Sequence, residues 1–201
     1  MAYDPMVATT KLDAVNQMLM SIGRNPVSTI TDSTITAVRI AIEQLDRTVR
    51  EVLAIGWQFN TDTEYELTVD GSGEIPVPAG LIDLAPCDRL RDITIRDDSG
   101  TLKLYDRDEQ SFTFAASVEA DVIWAFEFEE CPEAVRQYIF TRAARRFQKT
   151  NVASQVLHEF TKDDEMFAER LARKREGRRR RRNILTHGSN QIVHLRHINP
   201  T

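Results

Sequence analysis

Apolar residues recur at helical spacing in two blocks of this chain, and a block with alternating spacing separates them. In the longest helical pattern, predicted over residues 33–55, the apolar positions step by three and four residues along a heptad seam. The seam consists of Ile35, Val38, Ile42, Leu45, Val49 and Val52. A shorter helix is predicted over residues 10–22, where Thr10 can cap the N-terminus and Asp13 suits the positive end of the helix dipole. The chain is therefore expected to begin with two helices.

Residues 57–130 change to the alternating period that is typical of strands. A hairpin is predicted around the turn at 70–73, with Tyr65 and Leu67 on one strand and Ile75 and Val77 on the other. Prolines at positions 76 and 78 cannot donate to a ladder, so the second strand is expected to be short or at an edge. A turn of helix is predicted at 79–88, and further strands at 93–95, 102–104, 112–114 and 122–128.

Helical spacing returns after residue 131, with Pro132 in a first-turn position. The third helix is predicted to bury Val135, Tyr138, Ile139, Ala143 and Phe147, and a fourth helix over 152–175 to bury Val156, Phe160, Phe167 and Leu171. This order predicts an α+β fold. Residues 1–56 and 131–176 are expected to form a four-helix bundle, 57–130 a β-rich insertion, and 177–201 an extended basic and polar C-terminal arm.

The C-terminal end of the chain carries a charge opposite to that of the rest. Residues 170–201 hold 10 Lys and Arg against one acid, net +9, whereas residues 1–169 hold 16 Lys and Arg against 30 Asp and Glu, net −14. The cations of the proposed arm are Arg173, Lys174, Arg175, Arg178, Arg179, Arg180, Arg181 and Arg182. Such a segment is suited to docking on a negative partner, either nucleic-acid phosphate or an acidic protein surface.

A second basic stripe is predicted on one side of the third helix. Its members are Arg142, Arg145, Arg146 and Lys149. They can face DNA, or they can pair with the acids at 163–165 of the fourth helix. A charged helix face is more often solvated or paired within its own chain, so intrachain pairing is the favoured interpretation.

Motifs of common catalytic, cofactor and metal sites are absent from the sequence. It has no Gly-rich phosphate loop, no helical zinc pair and no nucleophile elbow, so we expect no cofactor and no metal site. The histidines at 187, 194 and 197 lack acidic or thiol neighbours, which favours a solvated tail over a metal site. Cys87 and Cys131 are too few for a disulfide framework and fit a reducing compartment. No apolar segment reaches about 18 residues, so no membrane anchor is expected.

Four glutamates lie close together in sequence between the last strand and the third helix: Glu127, Glu129, Glu130 and Glu133. Two carboxylates held a few ångströms apart are the machinery of glycoside hydrolysis, so a glycan or cell-wall hydrolase is one interpretation. The favoured interpretation is structural, because acids are stabilised at the N-terminus of a helix. We therefore predict no catalytic residues.

Two blocks of the sequence resemble one known family. The first comprises 14–23, 26–30 and Gly56-Trp-Gln-Phe-Asn60, and the second comprises 131–147 followed by the acidic helix through 163–165. These blocks, with Leu104-Tyr-Asp-Arg107 between them, are similar to the tail tubular protein A family, the head-to-tail adaptors of short-tailed, T7-like bacteriophages. The resemblance covers roughly residues 12–171, and its motifs are packing motifs.

The resemblance implies a structural virion protein at the head-tail junction, made in the host cytoplasm. It implies a dodecameric ring that joins the portal to the tail nozzle protein, carries tail fibres at its side and lines the path of DNA exit. The heptad seam fits subunits packed side by side in a closed ring. The family pattern does not include the arginines after the fourth helix, so residues 173–201 inherit no role from it.

Two hypotheses remain for the basic arm: it docks on the portal or on a neighbouring subunit, or it faces the lumen and contacts DNA without sequence preference. A glycan hydrolase and a free nucleic-acid-binding protein remain the alternative functions of the chain.

Overall fold

The computed structural model describes residues 8–31, 34–88, 91–151 and 155–179, and the side chains of residues 150–161, 178 and 179 are outside the description. Within this part the helices are α1 (Lys11–Ser21), α2 (Thr36–Leu53), α3 (Glu133–Asn151) and α4 (Gln155–Arg179). The strands are β1 (Thr61–Leu67), β2 (Leu81–Pro86), β3 (Ile93–Asp98), β4 (Thr101–Asp106) and β5 (Val118–Trp124). The prediction of an α+β fold with antiparallel strands between two pairs of helices is confirmed.

Helix α3 contacts each of the other three helices, and the first hydrophobic core lies around it. The cap predicted at Thr10 is present, and the structure extends it to a capping box: the Thr10 hydroxyl accepts from the Asp13 amide, and Asp13 accepts from the Thr10 amide. On α3 every apolar residue predicted to face inward is buried, namely Val135, Tyr138, Ile139, Ala143 and Phe147. The periodicity of α3 thus predicted its packing correctly.

The buried face of α2 is broader than the predicted heptad seam. Ala41 and Thr48 are buried beside Val38 and Leu45, because α2 packs against both α1 and α3 and needs a wider apolar arc than a two-helix seam. The predicted helix also started too early. Ile35 precedes the first helical residue and is 50% exposed, so its predicted burial is wrong.

The predicted hairpin at 65–77 is wrong, although its turn at Asp70 forms. Strand β1 pairs with β5, and residues 75–77 pair with β4 instead, through Leu104 N to Ile75 O (2.9 Å) and Val77 N to Leu102 O (2.9 Å). Alternate residues of a strand direct their amides to opposite sides, and on the side away from β4 this segment has Pro76 and Pro78. That side has no donors for a β1 ladder.

Three other predictions for the β-rich part need correction. Residues 81–86 form strand β2 on the edge of the sheet β1-β5-β2, where a turn of helix had been predicted. Residues 112–114 form only an isolated bridge from Thr113 to Glu74. Strand β5 ends at Trp124. Phe128 lies in a short 3₁₀ turn, and its ring is buried in the helical core. The strands predicted at 93–95 and 102–104 are present as the hairpin β3-β4.

Asn60 joins the helical core to the sheet. Its side-chain amide donates to the carbonyls of Leu53 (3.1 Å) and Trp124 (2.8 Å), and its Oδ1 accepts from Trp57 N (2.8 Å). Gly56 lies just before this junction at φ +74°, and a Cβ there would meet Ile123 Cδ1 at 2.9 Å. The β-rich part has a second core of its own, centred on Ile75, Leu104, Val118, Ala120 and Val122.

Helix α4 packs with a different face from the one predicted. Phe167 is 66% exposed and Leu171 is 37% exposed, whereas Glu165, Ala168 and Ala172 are buried. Alanines allow the backbones of α3 and α4 to approach closely, and the glutamate reaches the cations of α3, as described below. The predictions for Val156 and Phe160 concern side chains outside the described set.

The fourth helix is also longer than predicted at its C-terminal end. It continues through Gly177 to Arg179, three residues into the segment that had been assigned to an extended arm. A glycine inside a helix costs about 1 kcal/mol, and the arginines around it are good helix formers, so the helix passes the glycine. The remainder of the predicted arm, 180–201, lies outside the described residues.

Candidate functional site

Three of the four cations in the α3 stripe contact carboxylates of this chain. Arg146 Nη1 lies 2.5 Å from Glu51 Oε2 of α2, and Arg142 Nη2 lies 3.7 Å from the same oxygen. On the other side Arg142 Nη1 lies 3.8 Å from Glu165 Oε1 of α4, and Arg145 donates to Glu165. Residues spaced by three and four share one helix face, so α3 presents these arginines together between α2 and α4.

This cluster binds three helices to one another electrostatically. Glu165 is only 9% exposed, and a buried carboxylate is tolerated where cations and donors compensate its lost hydration. Burial disfavours the charge of Arg142, but the Tyr138 hydroxyl, Glu165 and Glu51 outweigh it and raise the pKa of Arg142 above its ordinary value. The arginines of the cluster are therefore directed at acids of the same chain.

The partners of the stripe differ in part from those suggested by the sequence. Glu165 is one of them, while Asp163 and Asp164 are exposed and form no ion pair within the described part of the chain. Glu51 was not foreseen because it lies 95 residues from Arg146 in sequence. Lys149 lies at an exposed position of α3 and lines a groove with Gln44, Arg47, Glu51 and Arg146.

At the basic end of α4 one arginine, Arg173, is held by contacts with the rest of the chain. The Arg173 guanidinium lies 5.6 Å from the ring centre of Trp57 and pairs with Glu169 at 2.8 Å. Arg175 lines a groove of about 580 Å³ beside the first turn of α3, and Lys174 is exposed. Arg178 and Arg179 have helical backbone with side chains outside the described set, and Arg180 to Arg182 lie beyond the described residues. The contact of the Arg173 guanidinium with the Trp57 ring was not predicted from the sequence.

The glutamates around 127–133 hold the N-terminal segment against the start of α3. Glu133 accepts from Thr9 N (3.0 Å) and Thr9 Oγ1 (2.8 Å), and Glu129 accepts from Lys11 N (2.9 Å). Arg136 completes the contact by donating to the carbonyl of Thr9 at 3.1 Å. These carboxylates thus satisfy backbone donors that precede and begin α1.

The pKa of Glu133 does not suit a general acid. Burial penalises its charged form, but hydrogen bonds from Gln137 and Thr9 outweigh that penalty and hold the pKa of Glu133 below its ordinary value. The acid of a glycoside hydrolase needs a raised pKa in order to keep its proton near neutral pH. The geometry and the pKa at Glu133 both correspond to a capping carboxylate.

The outer face of the three-stranded sheet is acidic. Glu66 of β1 is directly opposite Glu119 of β5, and Glu64 donates its backbone amide to Asp121 at 3.2 Å. Partial burial and the carboxylates of Asp121 and Glu119 raise the pKa of the exposed thiol of Cys87. Burial raises the pKa of the Cys131 thiol to about 12. Both thiols are therefore protonated and weakly nucleophilic near neutral pH.

Metal-ligand clusters and membrane-spanning helices are both absent from the part of the chain that is described. In that part no three His, Cys, Asp or Glu side chains are grouped as metal ligands. Among the same residues, no helix combines the length and the hydropathy that a membrane span requires. The three C-terminal histidines lie outside this range.

Comparison with known proteins gives a match to a family model over most of the chain. The family model described as tail tubular protein matches residues 12–182. This range begins at the second residue of α1, includes α2, α3, α4 and the whole β-rich part, and ends with the last of the five consecutive arginines. No curated protein matches the chain.

Proposed function

The chain belongs to the tail tubular protein family, a structural component of the phage tail and hence of the virion, and we propose that it is the head-to-tail adaptor subunit. In this proposal twelve copies form a ring beneath the portal of a short-tailed, T7-like phage. The ring joins the portal to the tail nozzle protein, carries tail fibres at its side and lines the path by which DNA leaves the head.

The observation that carries the ring proposal is the apolar surface left on α4. Met166 is 46% exposed and Phe167 is 66% exposed, although the opposite side of the same helix is packed against α3. Adjacent apolar side chains of this size on a well-packed protein mark an interaction surface. A ring of identical subunits covers such a surface on every copy.

The ring is tested by measuring the mass of the purified full-length chain, alone and mixed with purified portal rings. We expect a closed species of twelve chains, or its formation when the portal is added, together with a complex that contains both proteins. A chain that remains monomeric and does not associate with the portal would contradict the adaptor proposal. Negative-stain images of the same samples distinguish a ring from an irregular aggregate of similar mass.

For the C-terminal arm we propose docking on the acidic surface of the portal or of a neighbouring subunit. Arg173 is already held by Trp57 and Glu169, so the docking role is assigned to the cations that follow it in sequence. Deleting residues 180–201 removes the arm beyond α4 and is expected to abolish attachment to portal-bearing heads without changing the fold of the body. Unchanged attachment would exclude this role.

The competing role for the arm is contact with DNA in the ring lumen. It predicts that assembled rings retain duplex DNA of any sequence and that the retention weakens steeply with salt, because phosphate contacts release counterions. Arg178–Arg182 to Ala would remove this retention, and the matched replacement by Lys would preserve it. Loss of portal attachment with unchanged DNA retention in the Ala variant would favour protein docking.

A further inference from the structure

The outward face of α4 combines apolar residues with unpaired charge. Met166, Phe167 and Leu171 are exposed there, and each is large enough to bury a substantial apolar area in a contact. Asp163 and Asp164 precede these residues by about one turn, are exposed, and form no ion pair within the described residues. The helix therefore presents an acidic turn followed by an apolar turn.

The C-terminal end of α2 presents the complementary sequence of features. Arg50 is exposed and forms no ion pair in the described part of the chain. Ala54 and Ile55 follow it by about one turn and are both exposed, Ile55 to 45%. Along α2 the order is thus a basic turn followed by an apolar turn. If the two helices run parallel, the basic turn of α2 meets the acidic turn of α4 and the two apolar turns meet each other.

Within one chain α2 and α4 do run in the same direction. Glu51 of α2 lies beside Arg142 and Arg146, and on α4 Glu165 lies beside Arg145 while Ala172 lines a groove with the first turn of α3. On α2, Gln44 precedes Glu51 but lines a groove with Lys149, which follows Arg146 on α3, so α2 is antiparallel to α3. On α4, Ala172 follows Glu165 but lies beside the start of α3, so α4 is also antiparallel to α3. A rotation about an axis along the helices keeps α4 of one copy parallel to α2 of the next.

The two surfaces also lie at the same height along the helices. Glu51 and Glu165 both contact Arg142, so these two positions are level. At a rise of about 1.5 Å per residue, Asp164 is then level with Arg50, and Phe167 is level with Leu53, one residue before Ala54. Rotation without translation, which closes a ring, would bring these levels together.

From this match we propose that α4 of one copy packs against the C-terminal end of α2 in the next copy. Phe167 contacts Ala54 and Ile55 of the neighbour, and Asp163 and Asp164 face the neighbour's Arg50. Because two different surfaces of the chain meet, the contact is heterologous and repeats around a ring. The proposal rests on the proposed ring and specifies which surfaces form it.

Site-directed crosslinking tests the contact in the full-length chain. Cys87→Ser removes the exposed native thiol, and Phe167→Cys is combined with Ile55→Cys in the same polypeptide. A short bismaleimide is expected to produce a ladder of covalent multimers. A mixture of chains carrying one introduced cysteine each is expected to give dimers only, because a crosslinked chain has no introduced cysteine left for its other junction.

The matched control pairs Phe167→Cys with Leu102→Cys, which replaces a residue on β4 that is 51% exposed. No ladder is expected from it. Dimers formed by the Phe167→Cys chain alone would show an isologous contact of α4 with itself and would overturn the proposal. Assembly of the double-cysteine chain to the ring mass without crosslinks would overturn this contact and leave the ring intact. A monomeric wild-type chain, with or without portal, would overturn both.

Charge reversal provides a second test that does not depend on crosslinking. Arg50→Asp is expected to lower the fraction of assembled chain at least tenfold, since it places like charges at every junction. Adding Asp164→Arg to the same chain is expected to restore assembly, because each junction again pairs opposite charges. Failure of the second substitution to restore assembly, in a chain with unchanged circular dichroism, would contradict the proposed pairing.

Discussion

Helices α3 and α4 lie side by side but bury different kinds of residue. Helix α3 encloses the aromatic rings of Tyr138 and Phe147 in the helical core, whereas α4 buries Ala168 and Ala172 and leaves Phe167 exposed. Both helices have large apolar residues at regular helical spacing, but among the described side chains only those of α3 lie in the core. The difference indicates that periodicity identifies the hydrophobic face of a helix without identifying whether that face is buried within the chain.

The comparison predicts opposite outcomes for the same substitution on the two helices. Phe147→Ala removes a ring that is 1% exposed and should lower the free energy of unfolding by about 3–5 kcal/mol through lost burial and a residual cavity. Phe167→Ala is the matched control and should change it by no more than about 0.5 kcal/mol. Urea denaturation of dilute, unassembled chain measures both values. Equal losses at the two positions would contradict the difference in burial.

The ion cluster between the two helices predicts the next largest effect. Glu165→Gln keeps the size of the side chain but removes the counter-charge that Arg142 and Arg145 share. The free energy of unfolding should fall by about 2 kcal/mol, which is below the range for fully buried pairs because the arginines are partly hydrated. A double-mutant cycle with Arg145→Met isolates the pairwise contribution. Additive effects of the two substitutions would mean that the pair contributes no coupling.

The α-helical part of the fold was largely predictable where local signals and packing agree. The capping box of Thr10 and Asp13 specified the start of α1, and the residues around Tyr138 specified the inner face of α3. On α4 two periods coexist. The alanines at 168 and 172 continue the spacing of Glu165 around one face, and the larger apolar residues lie on the other, so the more hydrophobic period was mistaken for the core.

The β-rich part and the ion cluster depended on contacts between distant residues. Strand β1 is more than fifty residues from its partner β5, and nothing in the local alternation identifies that partner over the nearer segment at 75–77. In the cluster, the sequence offered the neighbouring acids at 163–165 but gave no signal for Glu51, whose approach depends on the packing of α2 against α3. Local pattern thus predicted which residues carry charge and only some of their partners.

The start of α3 predicts a smaller, pH-dependent effect. Because the pKa of Glu133 lies below its ordinary value of 4.5, its carboxylate stabilises the folded chain fully above about pH 4.5, and this contribution is lost as pH falls through the folded pKa. Glu133→Gln should therefore lower the free energy of unfolding at pH 7 by about 1 kcal/mol, and the difference from wild type should shrink toward pH 3. Denaturation at both pH values measures it. A difference that is constant with pH would exclude the charge as its cause.

The smallest effect is expected at the C-terminal end of α4, and its sign is positive. A Cβ at Gly177 would meet no heavy atom within 4 Å, and the residue lies inside the helix, so Gly177→Ala can be accommodated without strain. Alanine loses less backbone entropy in a helix than glycine, which should stabilise this turn by about 0.5 kcal/mol. Slower amide hydrogen exchange at residues 174–179 would measure the gain. Unchanged exchange at these residues would mean that Gly177 does not limit the stability of the end of α4. The control is Gly71→Ala, in a turn of the β-rich part, which should leave exchange in α4 unchanged.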